Sequence, residues 1–578
     1  MSATQTSHFN VSQRKLSPNW VWLVCLFVLL MVLIKPAPIG GDAPLYAKDV
    51  RTSLSHGWSD SPQIWNFAHL AWRPLGRLLT EAFLNPLLPY FGNNVDMTIN
   101  FLLMLPSLIA ALVCGLVVQR AVWKITGNAW AALLTSFALL CLNPLLNYSR
   151  VGSPYCCCLA LTTVGLYFAA FHDRGSWKTA ALAGALGGAA AVFWAPFLLS
   201  FPAIALSRWI LDLRGEKKFD FRFVAVLSIS GALVVMACYG VAIGINHIHD
   251  VRAWMHESAP DSRNNTAFRM LNGIGRGVYE MGDDSVWLKW YVFHDPYAKV
   301  SRWELLRLSI VELGVFYVSM LGLALMLWIT PLGKRLLALI AISALPHVVL
   351  AMSYESGSVE RYMAFMPAVF IGFGYVLGSA AYSKPIRVLA ALLCCIHIPA
   401  NLATASVRNV DHLVHRDPDR LGAMTSLTPD SELFVINVRD DLFRLSFGDP
   451  LNPLHLHPLV PVRVLATSMG PEVPYWREIF SCYVFTAWNS QGEAWVTKRV
   501  LADQPVREWG WVEGDDSRMK WNDIHQFFMA FDHSHERGGR DGFFLIRNSP
   551  ENVRILNNLR GGTEPNCAPK QTVAKAAP

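Results

Sequence analysis

The stretch WVWLVCLFVLLMVLIKPAPIGGDAPLYAKDV, Trp20 to Val50, decides how the rest of the chain is read. Its first half is an unbroken apolar run, Trp20 to Ile34, preceded by Arg14 and Lys15. Its second half leaves that run through Pro36 and Pro38 and places an acid, Asp42, where the chain would emerge from a bilayer. No small-residue cleavage site follows the run, so it reads as an uncleaved membrane anchor. A carboxylate at the wet end of a membrane helix can meet a lipid head group and a soluble acceptor together, which makes Asp42 a candidate general base. An ordinary interfacial acid is the plainer reading, and the residues nearby weigh against it. Tyr46, Lys48 and Arg51 come next, then HLAWRPLGRLL with His69, Arg73 and Arg77.

Working outward, the 578 residues are 53% hydrophobic and only 16% charged. Soluble domains carry about a quarter charged residues, so this balance and the repeated apolar runs define a polytopic membrane protein. The runs lie near 20–34, 97–119, 128–147, 154–171, 178–193, 195–211, 222–246, 305–330, 336–352, 362–382 and 387–405, about eleven spans. Separating 178–193 from 195–211 at Trp194-Ala195-Pro196 keeps the loop charges in order. With the N-terminus inside, the inner connections then carry Arg120 and Lys124; Arg174 and Lys178; Arg214, Lys217, Lys218 and Arg222; Lys334 and Arg335; Lys384 and Arg387. The short outer ones carry little beyond Arg150 and Arg361, in keeping with the positive-inside rule. The formal net charge of +7 is explained by those loops and makes no case for nucleic acid.

The resulting organisation is a cytoplasmic N-terminus over 1–19, a transmembrane domain over 20–405 with outer segments 35–95 and 247–304, a soluble domain over 406–562 and a disordered tail over 563–578. Pro62 to Leu70 and Leu75 to Leu88 read as interfacial helices. Trp254, Trp287, Trp290 and Trp303 in the second outer segment suit head-group anchoring as well as substrate contact. In the C-terminal domain, SELFVINV, VPVRVLA, EAWVTKRVL and DGFFLIRN read as strands and RDPDRLGAMTSL and WNDIHQFFMAF as helices, giving a mixed α/β domain. WREIFSCYVFTAW suits stacking on sugar rings, packing into a core or facing the membrane equally well. The His clusters DHLVHRDPD, HLHPL and FDHSHERGG lack metalloenzyme spacing and read as surface and turn residues. Of 11 cysteines, only Cys482 and Cys567 lie in polar surroundings, leaving room for one disulfide and none for a Cys/His zinc site.

An acid just after the first apolar helix, an amphipathic first outer loop, an RPL motif and an outer C-terminal domain together resemble GT-C class glycosyltransferases that use polyprenyl-phosphate-linked sugars. The likeness is to the protein O-mannosyltransferase and lipid A aminoarabinose transferase branches. It is carried by GGDAPLYAKDV, HLAWRPLGRLL, MTINFLL with Asn100, TSFALLCLNPLLNYSRVGSPY with Pro144, and SVERYMAFMPAVF with Glu360, Arg361 and Tyr362. It spans roughly residues 20–380 in topology. The resemblance implies a multi-pass enzyme of a bacterial inner membrane with its site facing the periplasm, and an Arg-Tyr pair, Arg361-Tyr362, facing a lipid phosphate. Two departures bear on metal dependence: Ala43 follows Asp42 where the family often has a second acid, and the stretch Asn143–Tyr155 carries no acid. No cofactor is called for with certainty, and a divalent cation stays open.

The chemistry of the class can be stated without the name. Moving a sugar from a lipid phosphate to a hydroxyl requires a base for the acceptor proton and cations for the departing phosphate. Asp42 fits the first role, and one in-line displacement would invert the anomeric carbon. Arg361 and Arg73 fit the second, because a guanidinium offers paired donors and keeps its charge beside apolar surfaces. Tyr46, Lys48, His69, Arg77, Glu360 and Tyr362 complete the expected substrate-binding set. Asp49, Asp60 and Glu81 are rival acids, each read as solvated; Glu360 is read as a partner for Arg361, and His347 as a satisfied packing residue. The expected partners are a polyprenyl-phosphate-sugar donor, membrane lipid, and a glycan, lipid or protein acceptor. A transporter or flippase of lipid-linked glycan and a non-catalytic membrane scaffold are the other classes the sequence permits.

Overall fold

The computed structural model describes residues 17–34, 43–91, 95–172, 176–213, 219–258 except 249, 302–353 and 359–402 except 400 of the helical part. In the C-terminal part it describes 427, 431–435, 462–464, 476–502 except 499, 517–537 and 542–559. The chain divides into two compact units, one of 1–88, 95–289 and 303–408, the other of 89–94, 290–302 and 409–578.

Each of the eleven apolar runs contains a helix. The described helices of this part, of which α2, α3 and α11 lie outside the runs, are α1 (Trp20–Ile34), α2 (Ala43–Leu54), α3 (Trp72–Leu87), α4 (Val95–Thr126), α5 (Ala129–Leu140), α6 (Asn143–Ser149), α7 (Tyr155–Leu166), α8 (Trp177–Phe193), α9 (Phe201–Leu211), α10 (Phe221–Asn246), α11 (Val251–Ser258), α12 (Arg302–Trp328), α13 (Pro331–Ser353), α14 (Met366–Gly378) and α15 (Lys384–Cys395). Among the described residues, four helical stretches are long and apolar enough to span a bilayer: Val95–Thr126, Phe221–Asn246, Pro331–Ala351 and Glu360–Gly378. The α5–α6 pair, bent by 66°, would be a fifth. The other runs hold apolar helices that do not pass that test over the described residues, so each of the eleven runs is helical while four to five spans are established by length and composition. On α10, Ile229, Leu233, Met236 and Val241 are exposed, a surface suited to lipid rather than water. The unit is that of a multi-pass membrane protein.

Helix ends follow local chemistry. Ser176 caps α8 through a reciprocal box with Thr179. Trp194, extended at φ −154°, stops α8, and Pro196 and Pro202 open the next turn and α9, where their missing N–H groups cost nothing. The break read from Trp194-Ala195-Pro196 is therefore present. α8 then crosses α10 through glycines. A Cβ at Gly184 would collide with the Leu227 carbonyl, and one at Gly188 would stand 2.5 Å from the Gly231 carbonyl. Small residues at i and i+4 let two membrane helices touch along their backbones.

The α2 helix in the first outer loop was not read from the sequence, whereas the amphipathic stretch 75–88 does fall in α3 and its continuation. His347 is buried and packed as expected but only half satisfied: its Nε2 lies 2.9 Å from Ser200 Oγ, while its buried Nδ1 meets no hydrogen-bond partner.

The C-terminal unit holds β1 (Glu432–Val435), β2 (Val462–Val464), α16 (Trp476–Asn489), β3 (Ala494–Thr497), α17 (Ser517–Met529), β4 (His533–Arg537), β5 (Phe543–Ile546) and α18 (Pro550–Leu559). The sheet runs β2-β1-β3-β5-β4, with β1 parallel to β2 and β3, and β5 antiparallel to β3 and β4. All four strands expected here are present in shortened form. One expectation is corrected: His533–Arg537, read as turn residues, is an edge strand, because its polar residues pair with the apolar β5 on one side only. A second is settled. WREIFSCYVFTAW forms α16, whose Phe480, Val484, Ala487 and Trp488 are buried against the sheet, which is the core reading. Cys482 on the same helix is disulfide-bonded. The expected helix RDPDRLGAMTSL and the clusters DHLVHRDPD and HLHPL lie essentially outside the described residues.

Candidate functional site

The site residues come from four places in the helical unit: α2 and α3, the turn before α3, the α6–α7 corner, and the short 3-10 stretch Val359–Phe365 before α14. The turn is built by Asn66, whose Oδ1 accepts from the backbone N–H groups of Ala68 and His69 at 3.0 and 3.1 Å. That cap fixes His69. The Ala71 N–H then donates to the Val192 carbonyl, tying the turn to the end of α8. Two further bonds hold it from outside: Tyr239 of α10 donates to the Phe67 carbonyl at 2.8 Å, and the Trp254 indole of α11 donates to the Trp65 carbonyl at 2.6 Å.

Held in this way, the His69 ring lies parallel to Trp194, 6.3 Å away with an interplanar angle of 3°. Tyr155 meets Trp194 edge-on at 4.7 Å, and Tyr148 meets Tyr155 at 4.6 Å, so the four rings form one continuous aromatic row. Arg361 places its guanidinium carbon 5.8 Å from the Trp194 ring centre and is itself only 7% exposed. Glu360, next in the chain, accepts a 2.7 Å hydrogen bond from the Tyr148 hydroxyl. On the other side of His69, its Nε2 lies 3.5 Å from the Tyr46 hydroxyl. The Tyr46 ring in turn sits 4.8 Å under the Arg73 guanidinium, and Arg73 Nε donates to Asp49 Oδ2 at 2.7 Å. Two cations and two carboxylates thus flank an aromatic surface.

Burial drives the His69 imidazole down to about 3, with the Arg73 and Arg361 charges adding to it and the Phe193 backbone opposing. His69 is neutral at physiological pH. Burial also raises Asp49, against the pull of Arg73 and, more weakly, of Lys48. Asp49, read from the sequence as solvated, is the fixed partner of Arg73.

The structure brings Tyr46, His69, Arg73, Glu360 and Arg361 together. Tyr362 is fully buried in the helix core beside them. Lys48 lies exposed on α2. Arg77, four residues along α3 from Arg73, is engaged elsewhere: it donates to Glu81 at 2.7 Å and to the His56 carbonyl at 3.0 Å, and stacks 4.4 Å over Trp58. Asp42 lies outside the described residues, directly before α2. Asn100 is buried on α4, where its carbonyl would lie 3.2 Å from a Cβ at Gly152. Gly152 in turn accepts the Trp72 indole N–H through its own carbonyl. Among the described residues, no group of three His, Cys, Asp or Glu side chains could hold a metal ion.

Three members of the row, Tyr148, Tyr155 and Trp194, were not read as site residues. The available signal was position. Tyr148 on α6 and Tyr155 at the start of α7 flank the α6–α7 corner, and Trp194 stands at the helix break.

No family model matches the chain, and no curated protein matches it. Among solved structures, the chain is similar to ArnT from Cupriavidus metallidurans bound to undecaprenyl phosphate, at 13% identity and a TM-score of 0.48, over 92% of this chain and 98% of that one. It is also similar to the oligosaccharyltransferase of Archaeoglobus fulgidus in its apo form, at 12% identity and a TM-score of 0.40, over 95% of this chain and 75% of that one.

Proposed function

We propose that the chain is a membrane glycosyltransferase that moves a sugar from a polyprenyl-phosphate donor to an acceptor hydroxyl on the outer face of a bacterial inner membrane. The observation that carries this reading is the convergence of Arg73 and Arg361 on one aromatic row at a helix-capped corner. Two guanidiniums held in low-dielectric surroundings suit a phosphate, and aromatic faces suit a sugar or the first isoprene units. As the donor's C–O bond breaks, both bonding electrons stay with the phosphate, and the arginines compensate the charge that develops there. Asp49 holds Arg73 in place through its ion pair.

Asp42 is the proposed base. In sequence it stands directly before α2 and four residues before Tyr46, whose hydroxyl and ring face His69 and Arg73. Its carboxylate would take the acceptor proton as the acceptor oxygen attacks the anomeric carbon from the face opposite the phosphate, inverting it. The transmembrane domain over 20–405, the outer placement of residues 406–562 and the periplasmic orientation belong to the same proposal, supported by the loop charges.

The test is transfer from labelled donor lipids in membranes with Asp42→Asn. The substitution keeps size and hydrogen-bonding capacity and removes the basic group. Turnover should fall about 100- to 10,000-fold with donor binding nearly intact. Parental turnover in this variant removes Asp42 as the base. A parent protein that binds donors and moves them across the bilayer without transferring sugar points instead to a flippase.

A further inference from the structure

The sequence reading treated Glu360 as a partner for Arg361, yet the bond the structure gives its carboxylate is from Tyr148. Glu360 and Arg361 are consecutive on the 3-10 stretch Val359–Phe365, and they address two different rings of the same row, Tyr148 at its end and Trp194 two rings along. The guanidinium of Arg361 lies over Trp194, and the carboxylate of Glu360 is bonded to Tyr148. Tyr155 joins the two rings, 4.7 Å from one and 4.6 Å from the other. The Arg361 end is buried, with Trp194 5% and Tyr155 7% exposed. The Glu360–Tyr148 end is half-buried and reachable.

We propose that Glu360 and Tyr148 form the sugar-recognition edge of the site, with Glu360 the residue that determines which sugar is accepted. The proposal rests on the polyprenyl-phosphate reading above and adds to it how the donor is read. A pyranose or furanose presents hydroxyl donors around its rim and C–H groups on its faces. An ionised carboxylate is acceptor-only, with about four lone-pair positions, and Tyr148 occupies one of them. The remaining positions suit sugar hydroxyls, while the sugar's C–H face packs on the Tyr148 ring. The phosphate-facing cation and the sugar-facing acid are adjacent residues, and their side chains are held apart by different rings, Arg361 over Trp194 and Glu360 on Tyr148. A single short turn therefore reads the phosphate and the first sugar attached to it together. Tyr148 donates its proton to Glu360 and so orients the carboxylate.

The experiment measures lipid binding by the full chain in nanodiscs, with undecaprenyl phosphate and with undecaprenyl phosphate carrying mannose, glucose, galactose or arabinose as probes. The parent should bind at least one sugar-bearing lipid more tightly than the bare one. Glu360→Gln should lower affinity for that lipid about 10- to 100-fold, the range expected for a hydrogen bond to a charged group. It should leave undecaprenyl phosphate within about twofold. Tyr148→Phe, which removes one hydroxyl and keeps the ring, should shift the same lipid in the same direction by a smaller factor, and it carries the comparison by itself if Glu360→Gln misfolds. Equal loss for bare and sugar-bearing lipids in the variants overturns the proposal, since Glu360 would then act only through Arg361. So does a parent that binds the bare lipid and gains nothing from any sugar, and in that case the polyprenyl-phosphate site itself still stands. A parent that binds neither class overturns both readings.

Discussion

In the C-terminal unit the dense aromatic packing is phenyl on phenyl. Phe434 lies 5.1 Å from Phe528, which lies 5.1 Å from Phe527 and 6.2 Å from Phe480, all buried between α16, α17 and the sheet. In the helical unit a comparable density of rings is made of Tyr46, His69, Tyr148, Tyr155 and Trp194, with two arginines and two carboxylates around them. The first arrangement is what burial of apolar area alone produces. The second keeps charged groups beside low-dielectric surfaces, where each costs stability unless it is paired. Such a grouping of charge and aromatic faces suits a charged ligand, which is why the candidate site is placed in the helical unit and the C-terminal sheet is read as a packed domain.

The largest effects should separate the two kinds of packing. Gly184→Leu forces a side chain into the Leu227 carbonyl at the α8–α10 crossing, where backbone cannot yield locally. It should destabilise the helical unit by more than the ~1–3 kcal/mol usual for overpacking, visible as loss of monodisperse protein in detergent. Phe528→Ala should cost the C-terminal unit about 3–5 kcal/mol by leaving a cavity beside Phe434 and Phe480, and should leave undecaprenyl phosphate binding in place. Loss of lipid binding in the Phe528 variant would break the distinction between a packed domain and a binding unit.

Arg73 and Arg77 sharpen the comparison within one helix. Both are held by a carboxylate and by an aromatic ring, yet only Arg73 faces the row containing His69. Arg73→Ala should weaken undecaprenyl phosphate binding about tenfold or more, the scale of a lost charge-assisted bond. Arg77→Ala should lower thermal stability by about 1–3 kcal/mol, since it releases the His56 carbonyl and the Trp58 ring, with lipid affinity unchanged. Reversal of the two outcomes would relocate the phosphate site toward the Trp58 loop.

Much of the fold was legible because it rests on periodicity and punctuation. Apolar runs gave most of the helices, Trp194-Ala195-Pro196 gave the α8–α9 break, and short β-rich runs bounded by turn residues gave four strands of the sheet. The edge strand His533–Arg537 was not legible, since a strand paired on one side needs no apolar pattern of its own. Helix α2 was missed because its mean polarity matches a loop and its burial, at Tyr46, Ala47 and Val50, comes from packing on distant helices. Of the site, Arg73 and His69 were readable beside an RPL motif, and Arg361 through the resemblance carried by SVERYMAFMPAVF. Tyr148, Tyr155 and Trp194 were not, because they come together from segments far apart in sequence. Arg73 and Arg77 looked equivalent in sequence; their different partners separate them.

The smallest expected effect is on pH dependence, and it tests whether the row is as dry as its geometry requires. His69 titrates near 3 in the folded chain and near 6.5 when unfolded, because burial and the facing Arg73 and Arg361 charges oppose its protonation. Above pH 6.5 neither state carries the proton and the group contributes no pH dependence. As pH falls from 6.5 toward 3, the unfolded chain takes up a proton that the folded chain refuses, so stability declines across that window. For this group alone the decline at pH 5 is about 2 kcal/mol. His69→Phe keeps a ring against Trp194 and removes the titration. Its loss of thermal stability in detergent between pH 7.5 and pH 5 should therefore be smaller than the parent's by that amount, whatever other histidines contribute to both. Superimposable pH profiles would mean that water reaches His69. The row would then be an open surface rather than a desolvated one, and the two arginines beside it would lose the low-dielectric surroundings on which their phosphate affinity depends.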